Sequence, residues 1–172
     1  EPRKNLAAVL QVYAALLHSG TSGLPVLAVA GASGWLNSSI YTLVKELRIE
    51  GSVRFLGYVP DAELPALYSG ATVFLYPSLY EGFGLPVLEA MSCGCPVISS
   101  NLSSIPEVVG DAGLLVNPHD LNDIKAALEQ VLADKVLRET LSAQALERAS
   151  HFSLEKMAAE TGPDGAFTIH GV

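Results

Sequence analysis

The chain has 172 residues, 49% of them hydrophobic and 16% charged, with a formal net charge of −8. This excludes a disordered chain, a collagenous one and a disulfide-stapled mini-protein, and the length suits one compact domain better than two. Its apolar stretches break well before the ~18 consecutive positions of a membrane span, and Glu1-Pro2-Arg3-Lys4-Asn5 does not read as a signal peptide, so a soluble cytoplasmic protein is expected.

Residues 5–18 carry apolar side chains at helical spacing and run into Ser19-Gly20-Thr21-Ser22-Gly23, which predicts a helix and then a turn. Residues 25–30 are a short apolar run followed by Gly31 and Gly34, the pattern of a strand buried on both faces. A helix is expected over about 38–48, a strand at 53–56, a helix at 61–68 with Asp61 as N-cap, and a strand at 72–76. A helix at 85–92, strands at 96–99 and 114–116, and helices at 121–133 and 136–150 complete the series. Apolar strands alternating with helices predict an α/β protein with a Rossmann-like, doubly wound parallel sheet and right-handed connections. The pattern dissolves after about Thr161, so residues 1–160 read as the domain and 161–172 as a tail or crossing segment. There is no initiator Met and position 1 falls in a loop pattern, so a fragment of a longer protein is expected.

Charge is unevenly spread. Residues 1–60 hold five Lys/Arg against three Asp/Glu, and residues 61–172 hold five against fifteen, giving local balances of +2 and −10. No Lys or Arg stands between Arg54 and Lys125, which argues against nucleic-acid binding by that stretch, because such binding neutralises phosphates with cations. Cys93 and Cys95 are too close and too few for a disulfide framework or a structural zinc site, and read as reduced, buried thiols. His18, His119, His151 and His170 have no carboxylate or Cys partner at catalytic spacing. Asn37-Ser38-Ser39 and Asn101-Leu102-Ser103 match the glycosylation sequon, a pattern that arises often by chance.

In open parallel sheets ligands bind beyond the carboxyl ends of the strands, where loops lead into helix N-termini with unpaired N–H groups. The loop after the 72–76 strand is the informative one, from Tyr76-Pro77-Ser78 to Glu81-Gly82-Phe83-Gly84-Leu85. Gly82 and Gly84 would let the backbone approach a ligand closely, and a helix N-terminus there would point N–H groups at an anion. Glu81 lies in the loop and Glu89 within the following helix, so both can line one cleft and accept hydrogen bonds from sugar or ribose hydroxyls. An acid between Leu88 and Ala90-Met91, in a strongly apolar helix, needs a reason. Ser103 and Ser104 read as caps of the Pro106-Glu107 turn, with approach to a ligand as the alternative.

Residues 81–91, with Cys93-Gly94-Cys95-Pro96-Val97-Ile98 and the 104–113 stretch from Ser104-Ile105-Pro106-Glu107 to Asp111-Ala112-Gly113, resemble the donor-binding half of the glycosyl transferase group 1 family. These are retaining enzymes of the two-domain GT-B fold. The resemblance runs from Pro2-Arg3-Lys4-Asn5 to about Phe152-Ser153, and its most specific element is the Glu-x7-Glu spacing of Glu81 and Glu89. It implies that Glu81 contacts the donor sugar and is the catalytic carboxylate, and that Glu89 contacts the ribose hydroxyls. Gly82, Phe83, Gly84 and Leu85 would offer backbone N–H to the diphosphate or sugar, Arg3 and Lys4 would bind the diphosphate, and Tyr58 and Val59 would lie near the nucleobase. The resemblance further implies a nucleotide-diphospho-sugar as donor and no metal or other cofactor.

By the same comparison the first strand of the domain is expected ahead of Glu1, and the acceptor-binding N-terminal domain, which would carry any membrane association, outside this chain. The chain alone is then expected at most to bind nucleotide, without turning a donor over. The alternatives are a fragment of a GT-B sugar-nucleotide epimerase and a non-catalytic Rossmann-like docking module. The Glu-Gly-Phe-Gly-Leu-Pro run at 81–86 favours the transferase over the first, and the retained Lys4, Glu81 and Glu89 over the second.

Overall fold

A computed structural model of the chain describes residues 2–31 and 38–152. Gly34, the Asn37 sequon, His170 and the expected tail from 161 onward lie outside the described residues. A 3₁₀ turn, Pro2–Lys4, leads into α1 (Leu6–His18), and the order continues β1 (Leu27–Ala30), α2 (Ser38–Glu46), β2 (Val53–Gly57), α3 (Leu64–Gly70) and β3 (Phe74–Tyr76). After these come α4 (Leu85–Ser92), β4 (Val97–Ser100), α5 (Ile105–Val109), β5 (Leu114–Val116), α6 (Leu121–Ala133) and α7 (Lys135–Ala149).

Among the described residues all the strand pairs are parallel, as expected, but they form two hydrogen-bonded sheets: β1 with β2, and β3-β4-β5 in that order. What joins the sheets is α1. Leu10, Tyr13 and Ala14 pack with Leu27, Val53 and Phe55 of the first sheet and Val44 of α2, whereas Ala8, Val12 and Leu16 pack with Ile98 and Val116 of the second and Ile124 of α6. Leu10 and Leu16 are fully buried, each stabilising the fold by about 1.5–3 kcal/mol relative to exposure.

The three-stranded sheet is covered on both faces, and the period of two along its strands shows how. Val97 joins the cluster built with α4 and α5, and Ile98 joins the one built with α1 and α6; Phe74 and Tyr76 face the first cluster and Leu75 the second. All four residues of β4 are buried. In β1 the expectation of burial on both faces fails. Leu27 and Val29 are half-buried under α1 and α2, while Ala28 and Ala30 are exposed, because among the described residues helices cover this two-stranded sheet on one face.

Three further differences have local causes. α3 begins at Leu64, not at Asp61, because Pro65 lacks an N–H and is tolerated only in the first turn of a helix; residues 61–63 form the preceding turn, with Glu63 N–H donating to Pro60 O at 2.8 Å. The expected Pro106-Glu107 turn is a short helix, α5, with Pro106 in its first turn. α7 begins one residue early because the Asp134 side chain accepts from Leu137 N–H at 3.0 Å.

Both cysteines are free, Cys95 buried and Cys93 half-buried, and burial pushes the Cys95 thiol up to about 12 from its ordinary 9. The folded state therefore holds a proton that the unfolded chain releases between those two values, so stability is full below about pH 9 and falls as pH rises toward 12. Alkaline denaturation monitored by circular dichroism is expected to show this loss, and Cys95→Ala to flatten it. Among the described residues no helix is long and apolar enough to cross a membrane.

Candidate functional site

Register places the site. Tyr76 stands opposite Ser99 in a parallel pair, so the loops after β3 and β4 leave on the same side of the sheet. Ser99 Oγ donates to Tyr76 O at 2.7 Å, closing the end of the pair. The loop from 77 to 84 then carries Glu81 over the strand ends, where Ser103 and Ser104, from the loop after β4, both donate to the Glu81 carbonyl at 2.5 and 3.1 Å. Two hydroxyls thus occupy that oxygen. Ser103 takes a left-handed backbone (φ 60°) to reach it, and Ser104, at the N-cap position of α5, does not cap the helix with its side chain. The capping role expected of these serines is replaced by a hold on the Glu81 loop, because the carbonyl 22 residues away in sequence is brought within reach by the fold.

The Glu81 side chain is buried, at 8% exposure, and its two oxygens have different partners. Tyr76 Oη donates to Oε1 at 2.6 Å, a short charge-assisted bond, and Arg3 Nη1 stands 3.6 Å from Oε2. Lys4 Nζ lies over the Tyr76 ring, 5.4 Å from its centroid. The backbone holds the same grouping, with Leu79 N–H donating to Arg3 O at 2.7 Å. Asn5, left-handed at φ 57°, sends its side-chain N–H to Pro118 O at 2.7 Å and ties the Arg3-Lys4 turn to the loop after β5. Of the expected donor-binding residues, Arg3, Lys4 and Glu81 therefore come together.

The glycines that follow play different parts. Gly84 has φ +93° and a Cβ there would stand 2.7 Å from Ile105 Cδ1, so it is required by the turn and by its neighbour on α5; around Gly82 there is open space. Gly84→Ala is expected to cost about 1–3 kcal/mol in thermal denaturation, and Gly82→Ala within about 0.5 kcal/mol. In the first turn of α4, Pro86 has no N–H, and Val87 and Leu88 donate to Gly84 O at 2.9 and 3.2 Å. The N–H of Leu85 is the donor of that turn with no acceptor among the described residues.

Glu89 is exposed, so the apolar sequence around it does not bury it: Val87, Ala90 and Met91 take the buried face of α4. Its Oε2 accepts from Tyr68 Oη at 3.3 Å. Burial first, and then the Glu89 charge, hold the Tyr68 hydroxyl well above the usual phenol range, so it stays a donor. Tyr58, at 71% exposure, and Val59 belong to the other sheet, at the carboxyl end of β2, where Gly57 O accepts from Gly31 N–H at 2.8 Å. Phe83 packs edge-on against Phe152 at 6.1 Å, which sets the 3₁₀ turn after α7 (Ser150–Phe152) beside the glycine loop. A hollow of about 490 Å³ opens elsewhere, beside β5 and α6 among Asp111, Leu114, Asp123 and Gln130, and includes none of these residues. Among the described residues no three His, Cys, Asp or Glu side chains gather as metal ligands would.

Tyr68, Tyr76 and Asn5 are contributors that the sequence did not place at the site, and Ser103 and Ser104, weighed there as caps or ligand contacts, hold the Glu81 loop. For Asn5 a signal existed, since Asn is among the few residues that tolerate the left-handed region. The tyrosines read as strand and helix apolar positions, and nothing local marked their hydroxyls.

Comparison with known proteins identifies the family. Residues 1–148 match the family described as glycosyl transferases group 1. The chain is 48% identical over 161 residues to the O-antigen chain mannosyltransferase B of Escherichia coli, covering 94% of this chain and 42% of that protein. It is 37% identical over 154 residues to the serotype-specific mannosyltransferase WbdA of Escherichia coli, covering 89% of this chain and 19% of that protein. The chain thus spans less than half the length of these relatives. Among solved structures, sucrose-phosphate synthase from Thermosynechococcus elongatus superposes with a TM-score of 0.78 at 32% identity, covering 87% of this chain and 38% of that one. Anabaena HepE, solved in complex with UDP and glucose, shares the fold with a TM-score of 0.77 at 21% identity, covering 88% of this chain and 41% of that one. The α/β fold is Rossmann-like, as in one half of a GT-B glycosyltransferase. With the matched region running from the Arg3-Lys4 turn through both glutamates to α7, the chain belongs to the glycosyl transferase group 1 family.

Proposed function

We propose that this chain is the donor-binding half of a glycosyltransferase that passes a sugar from a nucleotide-diphospho-sugar to an acceptor hydroxyl with retention of configuration. The observation that carries the reading is the convergence of Arg3, Lys4 and Glu81 at the carboxyl ends of β3 and β4. Departure of a nucleoside diphosphate builds negative charge, which Arg3, Lys4 and the Leu85 N–H can meet, and Glu81 can orient the sugar through its hydroxyls. Glu89 takes the ribose hydroxyls, and Tyr58 and Val59 lie toward the base. The two mannosyltransferase relatives make a mannosyl donor the first to test. The mannosyltransferase relatives are longer than this chain, and an acceptor-binding domain outside it would bring the acceptor hydroxyl to the site.

Calorimetric titration of the intact protein with UDP, GDP, ADP and CMP tests this reading. One nucleotide is expected to bind saturably, and Glu89→Ala to weaken it by about 1–3 kcal/mol. An unchanged affinity in a folded variant removes Glu89 from the site, and no binding of any nucleotide by the wild type overturns the reading.

A further inference from the structure

We infer that Tyr68 and Tyr76 are positioning residues for the two glutamates, one hydroxyl to each carboxylate, and that the Phe74 ring joins them into one rigid unit. The inference rests on the donor-binding reading and deepens it.

Phe74 and Tyr76 are two apart on β3 and so share a face of the sheet. Their rings stack with centroids 5.4 Å apart and planes 17° apart, and Tyr68, from α3, meets Phe74 edge-on at 5.3 Å and 87°. At one end of this ladder Tyr76 Oη donates to Glu81 Oε1 at 2.6 Å; at the other, Tyr68 Oη donates to Glu89 Oε2 at 3.3 Å. Tyr68 and Tyr76 are 9% and 8% exposed, so packed rings fix both hydroxyls with little rotational freedom. A glutamate has three side-chain torsions and a carboxylate accepts about four hydrogen bonds, so one tyrosine bond restrains each carboxylate while leaving lone pairs for a ligand. Burial and the Glu89 charge keep the Tyr68 hydroxyl protonated, as a donor must be. The shorter bond belongs to the buried glutamate, so the larger effect is expected there.

Replacing each tyrosine by phenylalanine removes the hydroxyl and keeps the ladder. The intact protein, its Tyr76→Phe and Tyr68→Phe variants and the Glu81→Ala and Glu81→Ala/Tyr76→Phe pair are titrated with GDP and GDP-mannose and with UDP and UDP-glucose. Tyr76→Phe is expected to bind the nucleoside diphosphate like the wild type and to lose about tenfold in affinity for the sugar nucleotide. Tyr68→Phe is expected to lose about threefold for both ligands alike, because the ribose is common to them. In the Glu81→Ala background Tyr76→Phe should add nothing. A purely structural role would weaken both ligands together in Tyr76→Phe and persist without Glu81, and either result overturns the inference. Wild-type affinity in both phenylalanine variants overturns it too, while leaving the donor-binding reading intact. If the wild type binds neither pair of ligands, that reading falls and takes the inference with it.

Discussion

Glu81→Gln is expected to lower kcat/KM for sugar transfer by the intact protein by about 10²-fold while the protein stays folded, the size of effect seen when a reacting group is misplaced by about an ångström. The substitution keeps the shape of the side chain and an oxygen to which Tyr76 Oη can donate, and it removes the charge that Arg3 faces at 3.6 Å. Because the side chain is buried, loss of the charge also lifts a desolvation cost, so the thermal midpoint should hold or rise. Steady-state kinetics beside a melting curve separate the two effects. Activity within about threefold of the wild type would show that the carboxylate takes no part in turnover.

The second large effect is expected at the Arg3-Lys4 turn. Lys4→Ala should weaken nucleoside diphosphate binding by about 1.5–3 kcal/mol, the worth of a hydrogen bond to a charged group, and the remaining binding should depend less on salt. The Lys4 ammonium lies against the face of the Tyr76 ring, so its removal leaves the Glu81 bond in place. Arg3 differs, because it also faces Glu81. Arg3→Ala should cost nucleotide affinity and, in addition, up to about 1 kcal/mol of stability; the limit is set by the guanidinium's 45% exposure and the 3.6 Å separation. Adding Glu81→Gln to Arg3→Ala should return that stability without returning the affinity. Calorimetry and thermal denaturation on the four proteins of this cycle test both statements, and an additive loss of stability would show that the pair is not coupled.

The groups in both predictions, Arg3, Lys4 and Glu81, were marked by the sequence, but other residues it marked take parts it did not assign. The glycine pair at 82 and 84 reads as one device, but one glycine serves a left-handed turn beside Ile105 and the other borders open space. The acid at 89 looks buried from its apolar neighbours, yet helical periodicity turns it outward while Val87, Ala90 and Met91 turn in. The serines at 103 and 104 look like helix caps, and their hydroxyls go instead to the Glu81 carbonyl. In each case residue type was informative and the partner was not, since the partner is distant in sequence.

What the sequence by itself determined is the succession of strands and helices, the parallel α/β class and the stretch that bears the two glutamates. These follow from short-range periodicity, turn residues and spacing within a single loop and helix. Tertiary structure alone decided that the strands form two hydrogen-bonded sheets joined by α1, that helices cover β1 on one face, and that Tyr68, Phe74 and Tyr76 connect Glu89 to Glu81. Those outcomes depend on which loops a parallel register brings to the same end of the sheet and on which side chains a period of two directs to the same face. Both are properties of strands already paired, so no window of sequence contains them.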